Sequence, residues 1–292
     1  MITEFPLVFE CAGERLVGVI TTPASVAQLE VALLVIVGGP QYRAGSHRQF
    51  VQLARQAATL GYAAMRFDVR GMGDSDGAQR SFENIEEDVA AALDALHRAL
   101  PQLKGVGLWG LCGGASAALL YCLSRRDPRV TGVALVNPWV RSETTQARTR
   151  VKHYYAQRLL QAQFWKKLVS GQVAAAAVGE LLRALRMAFG SSFSSPATPQ
   201  VPERSLEQRM AAGLTGFEGE TLVVLSGNDY TAKEFLETVQ LDQLWQAQLA
   251  RPKVSRIDIV DADHTFSQAR AQELMEAATV SWLGRLCAAS SR

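Results

Sequence analysis

Three short stretches of this chain carry residues whose types and spacing could do chemistry together. The first is WGLCGG, Trp109 to Gly114. It has the form of a nucleophile elbow, a tight strand-to-helix turn written G-x-S-x-G with the reactive side chain at its tip. Gly110 and Gly114 stand two residues either side of Cys112, where the missing Cβ relieves the crowding of such a turn. The helix that follows starts beneath the sulfur, and a helix N-terminus favours negative charge. Taken alone, Gly-x-Cys-x-Gly describes a small buried cysteine in a glycine-rich turn equally well. The second and third stretches decide between the two. LSGNDY ends a predicted strand with Asp229, and DADHTFS follows the last predicted strand with His264. Nucleophile, acid, histidine is the chain order of a triad on this kind of frame. The chemistry expected is covalent. His264 takes the thiol proton or holds a thiolate–imidazolium pair with Cys112, Asp229 fixes the imidazole tautomer, and Cys112 attacks a carbonyl.

The other titratable residues rank below these. Asp261 and Asp263 lie too close to His264 along the chain to be favoured as its partner. His47, after the third predicted strand, is a candidate substrate contact, whereas His97 falls within a predicted helix. His153 falls in a segment that reads as a cap over the site.

The elements that must position these residues follow from periodicity. Strands are expected at Phe5–Glu10, Leu16–Thr21, Val31–Val37, Tyr62–Asp68, Gly105–Trp109, Val130–Val136, Glu220–Gly227 and Val254–Val260. VALLVIV is a continuous apolar run, the signature of a strand buried on both faces. Helices are expected at His47–Leu60, Phe82–Leu100, Gly113–Ser124, Ala232–Leu249 and Ser267–Leu286. The alternation implies an α/β fold, a mostly parallel eight-stranded sheet flanked by helices. Between residues 141 and 215 the strand pattern gives way to Arg-, Gln- and Ala-rich helical text. This is expected to be a helical cap inserted after the sixth strand, with 1–140 and 216–292 forming the core. Each candidate residue then falls at the C-terminal edge of the sheet, where open α/β sheets bind ligands.

With these motifs in place, the sequence resembles the α/β-hydrolase superfamily over nearly its whole length. VIVGGPQ (Val35–Gln41) is similar to the loop that supplies the oxyanion hole, and RFDVRGMGDSDG (Arg66–Gly77) to the D-x-R-G-x-G-x-S loop. Val37 stands where many relatives carry histidine. The GGPQYRAGSHRQF stretch and the cysteine elbow resemble, more narrowly, the exosortase A system-associated hydrolases, type 1. The resemblance implies an oxyanion hole from the backbone of Gly113 and of the loop at Gly39 and Gln41. It also implies hydrolysis of an ester or thioester.

Cysteine narrows that expectation toward thioesters, lactones and activated esters, with transfer of the acyl group as an alternative to hydrolysis. Tyr42, His47, Trp139 and Tyr154 are candidate substrate contacts. The cap residues Tyr155, Phe164, Trp165, Met187 and Phe189 suit an apolar acyl pocket, and the cap's Arg and Lys residues suit an anionic or carrier-bound substrate. No cofactor or metal is expected. The net charge of +2 is too small to argue for nucleic acid or an anionic membrane. The four cysteines are scattered and show neither metal-ligand spacing nor a disulfide framework. A reducing cytoplasm is therefore expected, and the first residues lack the basic and apolar regions of a signal peptide. Residues 105–124 carry no charge, but their glycines and strand-like start fit a buried strand–turn–helix better than a membrane span.

Overall fold

A computed structural model describes residues 1–26, 29–141 and 204–290. Eight strands form one sheet: β1 (Ile2–Cys11), β2 (Glu14–Pro23), β3 (Val31–Ile36), β4 (Ala63–Phe67), β5 (Gly105–Leu111), β6 (Val130–Val136), β7 (Glu220–Ser226) and β8 (Val254–Ile259). Their order across the sheet is β1-β2-β4-β3-β5-β6-β7-β8. β2 runs antiparallel to both β1 and β4, and every other neighbouring pair is parallel. This is the mostly parallel sheet expected from the alternation, in the α/β-hydrolase fold that the resemblance implies. The β1–β2 hairpin turns on Ala12 and Gly13, both at positive φ, the geometry that two-residue hairpins favour.

The central strands are apolar because both faces are covered. All of β3, β4 and β5 is buried, and a fully buried aliphatic side chain contributes about 1.5–3 kcal/mol over an exposed one. Helices α1 (Gln49–Thr59) and α7 (Ala269–Ser290) pack together on one face. Helices α2 (Glu86–Ala99) and α3 (Gly113–Ser124) pack together against the sheet as well. Helix α7 presses Trp282 onto the sheet where two glycines leave room. A Cβ added at Gly107 or Gly132 would lie 2.5 or 2.6 Å from its ring. The Trp282 indole N–H donates to the Glu220 carbonyl at 3.3 Å.

Several boundaries differ from the expectation. The helix expected from His47 starts at Gln49, after a short 3-10 turn in which His47 and Arg48 are left-handed. The helix expected over Ala232–Leu249 is two, α5 (Tyr230–Leu241) and α6 (Gln243–Leu249). Asp242 is extended between them and caps the second by accepting from Leu244 and Trp245 N–H. The chain divides into two compact units, Met1–Val140 with Glu207–Arg292, and Arg141–Leu206. Helix α4 (Leu206–Thr215) carries buried Met210, Ala211 and Leu214, and its Gly213 abuts the Leu119 carbonyl of α3. Most of the expected cap, with His153, Tyr154 and the cap aromatics and cations, lies outside the described residues. Among the described residues no helix is long and apolar enough to cross a membrane.

Candidate active site

Cys112 sits between β5 and α3 with φ 57° and ψ −121°. A non-glycine residue held there costs on the order of 1–3 kcal/mol, so its surroundings must enforce it. They do so through the backbone. The Cys112 N–H donates to the Val136 carbonyl at 2.9 Å, and the Cys112 carbonyl accepts from Ala115 N–H at 3.0 Å and Trp139 N–H at 3.3 Å. The turn is too tight for side chains at its flanks. A Cβ on Gly110 would lie 2.1 Å from the Gly114 carbonyl carbon, and one on Gly38 would lie 1.8 Å from the Gly114 nitrogen. The loop after β3 therefore touches the start of α3 backbone to backbone.

Asp229 ends the loop after β7 and is the N-cap of α5. Its carboxylate accepts from Thr231 N–H at 3.1 Å and Ala232 N–H at 3.2 Å. The same carboxylate, buried at 6% exposure, meets His264 Nδ1 at 2.9 Å. His264 is half-buried in the loop after β8. The hydrogen bond to Asp229 raises its pKa to about 10, helped by a further hydrogen bond to the Cys112 side chain and opposed by burial. One imidazole thus stands between the carboxylate and the thiol.

Across the sheet edge lies the loop after β3. Gly113 provides the first N–H of α3, one of the four that have no acceptor inside a helix. Gly39 is exposed with open space around it. Gln41 donates its N–H to the Gly39 carbonyl at 2.6 Å, so that group closes a turn rather than facing the elbow. Tyr42 is exposed, and His47 reaches the neighbouring loop, its Nε2 3.3 Å from the Thr265 hydroxyl. Arg43 anchors this loop. Its N–H donates to Asp68 at 2.6 Å, and its guanidinium pairs with Asp68 and, at 2.5 Å, with Asp74. Asp68 is fully buried and belongs to the D-x-R-G-x-G-x-S loop.

Trp139 is half-buried, and its main chain binds the elbow at both polar groups: its N–H donates to the Cys112 carbonyl and its carbonyl accepts from Ser116 Oγ. Two residues earlier, Asn137 is fully buried at φ 44°. Sequence reasoning missed both Asn137 and Arg43. The available signal for Asn137 was an asparagine directly before proline at the end of a buried strand, a residue type that tolerates left-handed backbone. Six described non-glycine residues have positive φ, and five of them (His47, Arg48, Cys112, Asn137 and Phe266) lie in the loops just described. Strain of this kind gathers at functional sites. Among the described residues no three His, Cys, Asp or Glu side chains are grouped to hold a metal ion.

The profile of the serine aminopeptidase S33 family matches residues 30–187, more than half of the chain. The chain belongs to this family. The family is named for a serine, and in this S33 member Cys112 stands at the elbow tip. Similar solved structures include an esterase from Pyrococcus furiosus, 16% identical, covering 97% of this chain and 91% of that one, with a TM-score of 0.63. Another is Est1E from Butyrivibrio proteoclasticus with ferulic acid bound, 14% identical over 97% and 99% of the two chains, TM-score 0.60. A third is dienelactone hydrolase from Anabaena variabilis, 14% identical over 97% and 98%, TM-score 0.59. At these identities the likeness is one of fold. No curated protein sequence matches this S33 member closely enough to count as a relative.

Proposed function

We propose that the protein is a cysteine-dependent acyl hydrolase with Cys112 as nucleophile, His264 as general base and Asp229 as the acid that orients it. One observation carries the reading: a single imidazole is hydrogen-bonded to the Asp229 carboxylate at 2.9 Å and interacts with the thiol at the strained tip of the elbow. Cys112 and His264 stand as a thiolate–imidazolium pair, the proton held on the imidazole, and the thiolate sulfur attacks an acyl carbonyl, forming a C–S bond. The carbonyl oxygen becomes an oxyanion held by the N–H groups of Gly113 and Gly39, each such donor lowering the barrier by about 2.7–4 kcal/mol. Collapse expels the leaving group, which takes the imidazolium proton. Water, deprotonated by His264, then attacks the thioester and releases the acid.

A thiolate leaves a tetrahedral intermediate more readily than an alkoxide, so a plain alkyl ester returns to substrate. Thioesters, lactones and activated esters go forward. An acyl group held on sulfur also passes to acceptors other than water, so transfer competes with hydrolysis. The narrower likeness to exosortase-associated hydrolases directs the search toward acylated exopolysaccharide precursors and carrier-bound acyl groups, handled in the cytoplasm.

Iodoacetamide alkylation followed by peptide mass spectrometry tests the nucleophile. Burial, first among the causes, pushes Cys11 up to about 11 and Cys122 up to about 12, and it also raises Cys287. Those thiols stay protonated near neutral pH. The Cys112 peptide is expected to be labelled fastest there, and to slow in His264→Ala. Slow labelling that ignores His264→Ala overturns the reading and leaves a catalytically silent scaffold on the same fold.

A further inference from the structure

The geometry points to Asn137 as the residue that positions His264, through a hydrogen bond from its carboxamide to the His264 main-chain carbonyl. The inference rests on the triad reading above, and its test separates the two.

Asn137 follows the last residue of β6. Its N–H donates to Val224 O at 3.0 Å, which extends the β6–β7 ladder by one step. Its side chain then takes over from the strand. Asn137 Oδ1 accepts from Ser226 N–H at 2.8 Å, and Nδ2 donates to Ser226 Oγ at 2.9 Å and to the His264 carbonyl at 3.1 Å. The orientation of the carboxamide is fixed by its partners. A backbone N–H can only donate and a carbonyl can only accept, so a flipped amide would face both with the wrong group. Asparagine is also the side chain that fits the backbone here, since φ is 44° and few non-glycine residues accept that conformation.

The same turn reaches the other two members. Ser226 lies three residues before Asp229 on the strand that carries it. Past Asn137 and Pro138, Trp139 N–H donates to the Cys112 carbonyl. The turn Asn137–Trp139 thus binds the elbow, the His264 main chain and the end of the strand that precedes Asp229. His264 itself is held twice: at the ring by Asp229 and at the main chain by Asn137. Without the Asn137 donor the His264 carbonyl loses this tether and the imidazole can shift with its main chain, and an error of about 1 Å at a reacting group can cost roughly 10²-fold in rate.

Two variants divide the role. Asn137→Asp keeps the size and the acceptor for Ser226 N–H but loses the donor to His264, setting acceptor against acceptor. Asn137→Gly keeps the left-handed backbone and removes the side chain. Both are expected to slow alkylation of the Cys112 peptide at neutral pH by roughly 10²-fold, and to move its pH profile to that of His264→Ala. Leu214→Ala, a cavity in α4, lowers the melting temperature and leaves the profile in place, which separates positioning from general destabilisation. If Asn137→Gly does not fold, Asn137→Asp decides. A folded Asn137→Asp protein with the wild-type profile, beside a slowed His264→Ala, overturns the role of Asn137 and leaves the triad standing. A His264→Ala protein labelled at the wild-type rate removes the triad reading, and the role of Asn137 with it.

Discussion

At the scale of the residue, the His264–Asp229 pair links chemistry to stability. The imidazole has an ordinary pKa of 6.5 and is raised to about 10 in the folded protein. The folded state therefore binds a proton that the unfolded state releases between these values. The stabilisation is full below pH 6.5 and is lost as pH rises toward 10. The melting-temperature gap between wild type and His264→Ala is expected to be widest near pH 6 and to narrow steadily toward pH 10. A gap that grows with pH would contradict the assignment. The places of Cys112, Asp229 and His264 after their strands were legible in the sequence, because each follows a strand in a short motif with its own turn chemistry. The bonds of Arg43 and Asn137 were not, since their partners Asp68 and His264 lie 25 and 127 residues away.

The elements place these groups through two contacts. Arg43 pins the loop after β3 to the fully buried Asp68. Removing one partner of a buried ion pair leaves an uncompensated charge, at a cost of about 3–5 kcal/mol. Arg43→Ala is expected to lower stability by that order in urea unfolding; a change within error would show that water replaces the guanidinium. Trp282 of α7 is the other contact. Gly132→Ala drives a methyl group into its ring and is expected to cost about 1–3 kcal/mol, read as a lower unfolding midpoint at unchanged slope. Helix ends were harder to read than helix existence. Asp242 sits inside a continuous helical pattern, and as a polar residue it looks like an exposed face until the structure shows it capping a second helix. His47 likewise continues the pattern of α1, while its backbone turns left-handed.

For the molecule as a whole, the fold was legible because a buried parallel sheet writes itself as apolar runs separated by amphipathic helices. The order of the strands in space was not, because it depends on which crossover each helix makes. Family and fold leave the nucleophile to be settled by turnover. If sulfur performs the attack, kcat/KM for a thioester exceeds that for the matching ethyl ester by at least roughly tenfold, about 1.4 kcal/mol of barrier. Cys112→Ser is expected to narrow that ratio. Equal turnover of the two substrates by the wild-type protein would count against a cysteine acyl-enzyme.

On the proposed reading Asp229 has two occupations, and only one of them is catalytic. By accepting from Thr231 and Ala232 N–H it caps α5, and losing such a cap typically costs about 1 kcal/mol whether or not any reaction occurs. A descendant that had abandoned its chemistry would still be under selection to keep this aspartate. Its presence in a related sequence is therefore no sign that the relative is active. Ancestry can be read for activity at Cys112 and His264, whose side chains have no helix to cap.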